Sequence, residues 1–290
     1  MAEHPDESGS IGVGDESPVV RRDDWEVVAL CPNSPYLKAG YALMRSVFGR
    51  ETMDSLDSIK RSLVDGQTGI LPGFQYVLVQ KTMDSNHVLG MLTGDCFWFD
   101  EESKIAFIAI GNVATSPGLR SQGVRGMGTM LIDEAVRDVK QQLKAVEVGL
   151  LCVCLESEPR ARAFWSRRGF VAYEGIDYVQ PPLGYHQDGS PSLPVVPETL
   201  MLRKDEDYAG RMTYGDVRTL VRHLFQRWYV DGPSVEFDLH ADAKRRVESC
   251  VQQELYESIF RPCESKGMKS GDVMDPIREP QDGCQRTSQA

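Results

Sequence analysis

The sequence predicts a mixed α/β domain, a mostly antiparallel sheet flanked by helices, with a helical extension on its C-terminal side. Three observations carry this. Three β-type runs, YVLVQKTM, HVLGMLTGDCFWF and KIAFIAIGNVAT, follow one another, divided by turn formers at Asp84-Ser85-Asn86 and by the charged segment Asp100 to Lys104. That spacing belongs to an antiparallel meander. The period then changes, and Met127, Met130, Leu131, Ala135, Val136, Val139 and Leu143 recur every three or four residues, one apolar face on a helix. Finally, 290 residues with 41% hydrophobic and 26% charged side chains suffice for one large core or two small ones.

The elements follow in order. WEVVALC reads as a strand, Tyr36 to Phe48 as a helix stopped by Gly49, and Ser55 to Leu63 as a short second helix. After the meander and the long helix comes a buried strand, VEVGLLCVCL. Pro159 suits the first position of another helix, with Glu158 at its cap and Gly169 at its end. FVAYE and ETLMLRK read as the last two strands, separated by a long loop from Gly175 to Pro197 of the kind that lines a site. In the extension, Thr213 and Asp216 form a capping box opening the stripe Val217, Leu220, Val221, Leu224, Phe225 and Trp228. Ala243, Val247, Val251, Leu255 and Ile259 make a weaker stripe. The first stripe is too apolar to face water, so it is expected to dock on the same chain over the late loop, with a homodimer as the alternative.

Met1 to Asp24 holds seven acids and two arginines among Gly, Ser and Pro, and reads as a disordered acidic tail. Residues 25–204 form the main domain, 205–260 the helical extension, and 261–290, with five acids and five bases, a second disordered tail. The net charge of -11 disfavours binding to nucleic acid. The N-terminus lacks the basic-then-apolar pattern of a signal peptide and no run is apolar enough to span a membrane, so a cytoplasmic location is expected. Seven scattered cysteines read as reduced thiols, and the Cys152-x-Cys154 pair as strand core, with no metal site implied.

The chemical signal is SPGLRSQGVRGMGTML, a glycine-rich loop between an apolar strand and an amphipathic helix. Such a loop offers unpaired amides and a helix N-terminus to an anion. Its spacing, G-x-x-G-x-G at Gly123, Gly126 and Gly128, is neither the Rossmann fingerprint nor a P-loop. The run NVATSP, then Arg120-Ser121-Gln122-Gly123-Val124, a helix, a strand, and Ala161-Arg162-Ala163-Phe164-Trp165 leading to Arg168-Gly169-Phe170 resemble the GCN5-related N-acetyltransferase (GNAT) family. The resemblance covers about Trp25 to Arg203. It implies a GNAT-like fold, acetyl-CoA as co-substrate and acetyl transfer to an amine by direct attack in a ternary complex. The acceptor stays open between small molecule and protein. Val113, Ala114 and Thr115 would pair with pantetheine as an added strand, and amides of Arg120, Ser121, Gln122, Gly123, Val124, Gly126 and Gly128 would hold the pyrophosphate. Phe164 would pack on the pantetheine arm.

The departures concern catalysis. About three residues, Arg125 to Met127, are inserted relative to the usual loop; Glu158 stands where Asn is usual, and Trp165 where many members carry a tyrosine acid. Ala109 stands where the histone-modifying branch has its glutamate base. An alkylamine of pKa about 10.4 must lose a proton before attack, so a base or a water relay is needed more than an acid. Glu156 and Asn112 are the catalytic candidates, weighed against a solvated strand-end or helix-capping glutamate and a plain turn-side polar residue. Tyr173, Tyr178 and Tyr185 of the late loop are alternative proton donors. The rival readings are an acyl-CoA-binding protein without turnover and an interaction protein acting through its C-terminal helices.

Overall fold

The structure, a computed structural model, describes residues 23–48, 55–68, 74–81, 86–121, 124–182, 185–231, 239 and 241–277. Six strands form one sheet in the order β1-β2-β3-β4-β5-β8: β1 Trp25–Ala29, β2 Phe74–Lys81, β3 Asn86–Asp100, β4 Ile105–Thr115, β5 Gly149–Ser157 and β8 Thr199–Lys204. All neighbours are antiparallel except β4 and β5. The expected meander is therefore β2-β3-β4. Two short strands, β6 Val179–Gln180 and β7 Val196–Pro197, form a separate ribbon within the long late loop.

The crossover from β4 to its parallel neighbour β5 runs through α3, Pro117–Ser121, and α4, Met127–Ala145. α4 buries the apolar face read in the sequence, including Leu131, Ile132, Ala135 and Val139, against Ile108 and Ile110 of β4 and Val153 and Leu155 of β5. On the other face, α1 (Leu37–Phe48) and α2 (Leu56–Thr68) pack Leu37, Met44, Ile59 and Leu63 against Val77, Met91 and Ala114.

The rest of that second face is covered by the C-terminal extension. It comprises α6, Tyr214–Leu224, continued by a π-helical segment Phe225–Asp231; α7, Ala241–Glu248, continued by a second π segment Ser249–Leu255; and α8, Tyr256–Ser265. The Thr213–Asp216 capping box forms, each residue's side chain accepting from the other's backbone amide. Val217, Leu220, Val221 and Phe225 are fully buried with Ala109, Cys154 and Leu202 of the sheet and Tyr178 and Tyr185 of the late loop. The expected stripe thus docks on its own chain. Removing such side chains from water contributes roughly 1.5 to 3 kcal/mol each, which accounts for the order of the segment.

Three expectations need correction. FVAYE is not a continuous strand: it touches the outer edge of β8 through a single bridge, Val171 to Leu202, and then leaves it to bridge Tyr173 with Pro276. The segment after β5 is a 3-10 turn, Pro159–Ala161, followed by the short α5, Arg162–Ser166; the Glu158 carboxylate pairs with Arg160 and makes no cap. Order also extends past Phe260, since α8 runs to Ser265 and the following chain returns to bridge Thr213 with Val273. Phe260, Cys263 and Met274, all buried, hold this return in place. Of the expected tail at 1–24, residues 1–22 lie outside the described residues, as do residues 278–290.

Candidate active site

The site arises where β4 and β5 part. Their parallel pairing ends at Ile110 and Leu155, yet β4 continues to Thr115 on its β3 partner while β5 follows β8 through Ser157. The β5-facing edge of β4 beyond Ile110 is therefore unpaired, and its backbone groups can accept another strand or a strand-like ligand. A bulge lies at this point: Gly94 opposes Ile110 and Thr93 opposes Asn112, leaving Gly111 as the extra residue. Side chains alternate along a strand, so one extra residue reverses the alternation and re-aims Asn112. Asn112 donates its backbone amide to Thr93 Oγ1 at 3.2 Å and keeps a half-buried side chain.

At the mouth of the parting stands the N-terminus of α4. Its cap is Gly126, held in the left-handed region at φ +86° where a β-carbon is strained, and no side chain caps the helix. The first-turn amides of a helix have no partner within it and favour an anion. A β-carbon on Gly128 would lie 3.7 Å from both Phe164 Cζ and Thr115 Cγ2, so the helix start, the β4 end and α5 converge there. Gly128, Thr115 and Phe164 thus lie together, with Val113 and Ala114 on the free β4 edge. Val124 differs from expectation: its amide donates to Leu119 O at 3.1 Å and is not available to a ligand. Arg120 and Ser121 sit in α3, and Gln122 and Gly123 lie outside the described residues.

Phe164 is braced from two sides. Trp165 meets it edge-on at 4.9 Å, and the Arg168 guanidinium lies 3.5 Å above its ring while donating to Phe164 O and to Thr129 Oγ1. Arg168 belongs to the motif read in the sequence but was given no site role there, and it puts a positive charge beside the first turn of α4. Trp165 is buried and packs edge-on against Phe170 at 5.4 Å.

Glu156 ends β5 on the face covered by the extension. Its carboxylate accepts hydrogen bonds from the Tyr178 hydroxyl, the Tyr229 hydroxyl and Gln180 Nε2, the last at 3.0 Å. Burial raises its pKa, opposed by those three donors, while the residue keeps some accessible surface. Both tyrosines are pushed well above their ordinary value, by burial first and by the nearby Glu156 charge second. Tyr178 was marked in the sequence. Tyr173 and Tyr185 are buried with the extension and make no bond to Glu156, and Tyr229, Gln180 and Glu198 were not marked.

Glu198 lies just before β8. Burial, then the charges of Glu156 and Glu158, push its carboxyl up to about 7. A carboxylate of that pKa can take a proton near neutral pH. Among the described residues there is no His/Cys/Asp/Glu group able to hold a metal and no helix long and apolar enough to cross a membrane.

No family model matches the chain, and no curated protein matches it. Solved structures do. Ard1 from Thermoplasma volcanium is 17% identical over 62% of this chain and 97% of its own, with a TM-score of 0.41. A putative GNAT-family acetyltransferase from Bacteroides thetaiotaomicron is 20% identical over 70% and 97%, TM-score 0.43. Arabidopsis thaliana NAA60 in complex with acetyl-CoA is 12% identical over 62% and 98%, TM-score 0.44. With its meander, its parallel β4-β5 pair that parts at the end, and α4 in the crossover, the chain has a GNAT-like fold.

Proposed function

We propose that this chain is an acetyl-CoA-dependent N-acetyltransferase that passes the acetyl group to an amine by direct attack in a ternary complex. The observation that carries the reading is the parting of β4 from β5 beside the uncapped N-terminus of α4. The free edge at Val113 to Thr115 suits the amides of a pantetheine arm, and the first-turn amides with Arg168 suit its pyrophosphate. Acetyl-CoA supplies the activated acyl carbon. The acidic side of the parting, with Glu156 and Asn112 as the first catalytic candidates, faces the amine.

A thermal-unfolding series with the full chain tests the first half of this. Acetyl-CoA should raise the transition in a concentration-dependent way, by about 2.7 kcal/mol at a hundredfold excess over Kd. An unchanged transition at millimolar acetyl-CoA would rule the reading out.

A further inference from the structure

Building on the acetyltransferase reading, we propose that Glu198 is the proton acceptor for a cationic amine acceptor, while Glu156, held in place by three donors, positions the ammonium. The sheet register places the two acids on one face. Leu200 opposes Glu156 and Thr199 opposes Ser157, so alternation along β8 puts Glu198, two residues before Leu200, on the face that carries Glu156. The ribbon leads to the same place: Val179 opposes Pro197 and Gln180 opposes Val196, which brings Gln180 onto Glu156 and delivers the chain to Glu198.

The two carboxylates differ in how they are held. Glu156 is committed to three donors, Tyr178, Tyr229 and Gln180, and an acceptor so engaged holds its place better than it takes a proton. Glu198 Oε2 is buried and has no hydrogen-bond partner within the protein. The ionisable groups acting on Glu198 are the carboxylates of Glu156 and Glu158, and Tyr229 feels its charge in turn. These groups are acids. A buried oxygen facing other acids lacks the donor that ordinarily accompanies it, and a substrate ammonium is such a donor. Its raised pKa agrees with this task.

The proposed step balances as follows. The ammonium gives one proton to the Glu198 carboxylate, and the freed lone pair bonds to the carbonyl carbon of the acyl-CoA thioester. The C–S bond breaks and the thiolate leaves with its electron pair. It takes up the second nitrogen proton as the amide forms, and Glu198 returns the first to solvent. The acceptor class is then an amine protonated at neutral pH, bound between Glu198 and Glu156.

The test is a pH–rate profile of wild type and Glu198→Gln with acetyl-CoA and three probes: spermidine, an amino sugar, and a lysine-containing peptide with a free N-terminus. In wild type, kcat/KM for an accepted probe should rise with pH through about 7 and then level. Glu198→Gln should lower it at pH 7 by ~100-fold or more and lose that inflection, the rate climbing instead toward the amine's own pKa. Acetyl-CoA affinity should not change, and Glu198→Asp should recover part of the rate. Wild-type turnover with an unchanged Glu198→Gln profile overturns the role of Glu198 alone. Wild type that binds acetyl-CoA but acetylates no probe overturns the acetyltransferase reading and this proposal with it. For a Glu198→Gln protein that does not fold, carboxyl titration by NMR of the wild type decides. A Glu198 resonance, assigned apart from that of Glu156, titrating near 7 and shifted by added spermidine supports the assignment, and Glu198 titrating in the ordinary 4.5 region overturns it.

Discussion

The Tyr229 hydroxyl donates a hydrogen bond to Glu156 across 73 positions of sequence, tying the C-terminal extension to the end of β5. Tyr229 lies in the π-helical segment Phe225–Asp231, and the wider turn of such a segment alters which side chains face inward. One residue earlier, Trp228 Nε1 donates to Asp95 Oδ2 at 2.7 Å. The extension is therefore tied to polar groups of the sheet at two points, Glu156 of β5 and Asp95 of β3.

Tyr229→Phe removes one of the three donors to Glu156 but leaves Gln180 on the same oxygen. We expect a loss of about 1 to 3 kcal/mol in denaturant unfolding, the range for a bond to a charged group. The Glu156 carboxyl should titrate higher still, because Tyr229 is one of the groups holding it down. Unchanged stability together with an unchanged Glu156 titration would mean the bond does not form in solution.

Glu198 also sets a pH dependence of stability. Its folded-state pKa, about 7, lies above the ordinary 4.5, so between these values the folded chain holds a proton that the unfolded chain has lost. Its contribution is complete below about 4.5 and fades as pH rises through about 7. Melting curves of wild type and Glu198→Gln should agree in trend at low pH, and the variant should gain on wild type from pH 5 to pH 8. A difference between them that is flat across this window would contradict the raised pKa.

Gly128 separates binding from folding. A β-carbon there would make only ordinary contact with Phe164 and Thr115, so Gly128→Ala should fold and melt at or slightly above the wild-type temperature. Gly128→Leu fills the convergence of α4, β4 and α5 and should lower acetyl-CoA affinity by tenfold or more in calorimetry. Equal affinity for the two variants would move the binding site elsewhere.

Trp165 is packed edge-on between Phe164 and Phe170, 5.4 Å from the latter, and its ring has no proton to give as an acid at neutral pH. Trp165→Phe should keep most of the turnover. A loss of ~100-fold at unchanged stability and unchanged acetyl-CoA affinity would assign it a chemical role.

The legible part of this fold is what periodicity writes. The meander, α4 and the Thr213 cap follow from alternation, three-and-four spacing and capping chemistry, all local properties. The bulge at Gly111 was hidden, because register depends on β3 as much as on β4. So was the π-helical segment: the stripe from Val217 to Trp228 reads as a plain helix, and only packing on the sheet turns Tyr229 inward. Glu156 stood out as a polar residue closing an apolar strand, yet its donors come from a loop and a helix far along the chain. Glu198 carried no signal beyond opening ETLMLRK; its meaning comes from the β5-β8 register and from a buried oxygen without a partner.

The central claim is acetyl transfer to an amine at the parting of β4 and β5. Its most direct measurement is mass spectrometry of an amine panel incubated with the full chain and acetyl-CoA, with released CoA thiol followed in the same reaction. The account predicts an acetylated amine formed in step with free CoA and a strong reduction of both in Gly128→Leu. Acetyl-CoA that stays intact beside every amine, or CoA release with no acetylated amine, would contradict it.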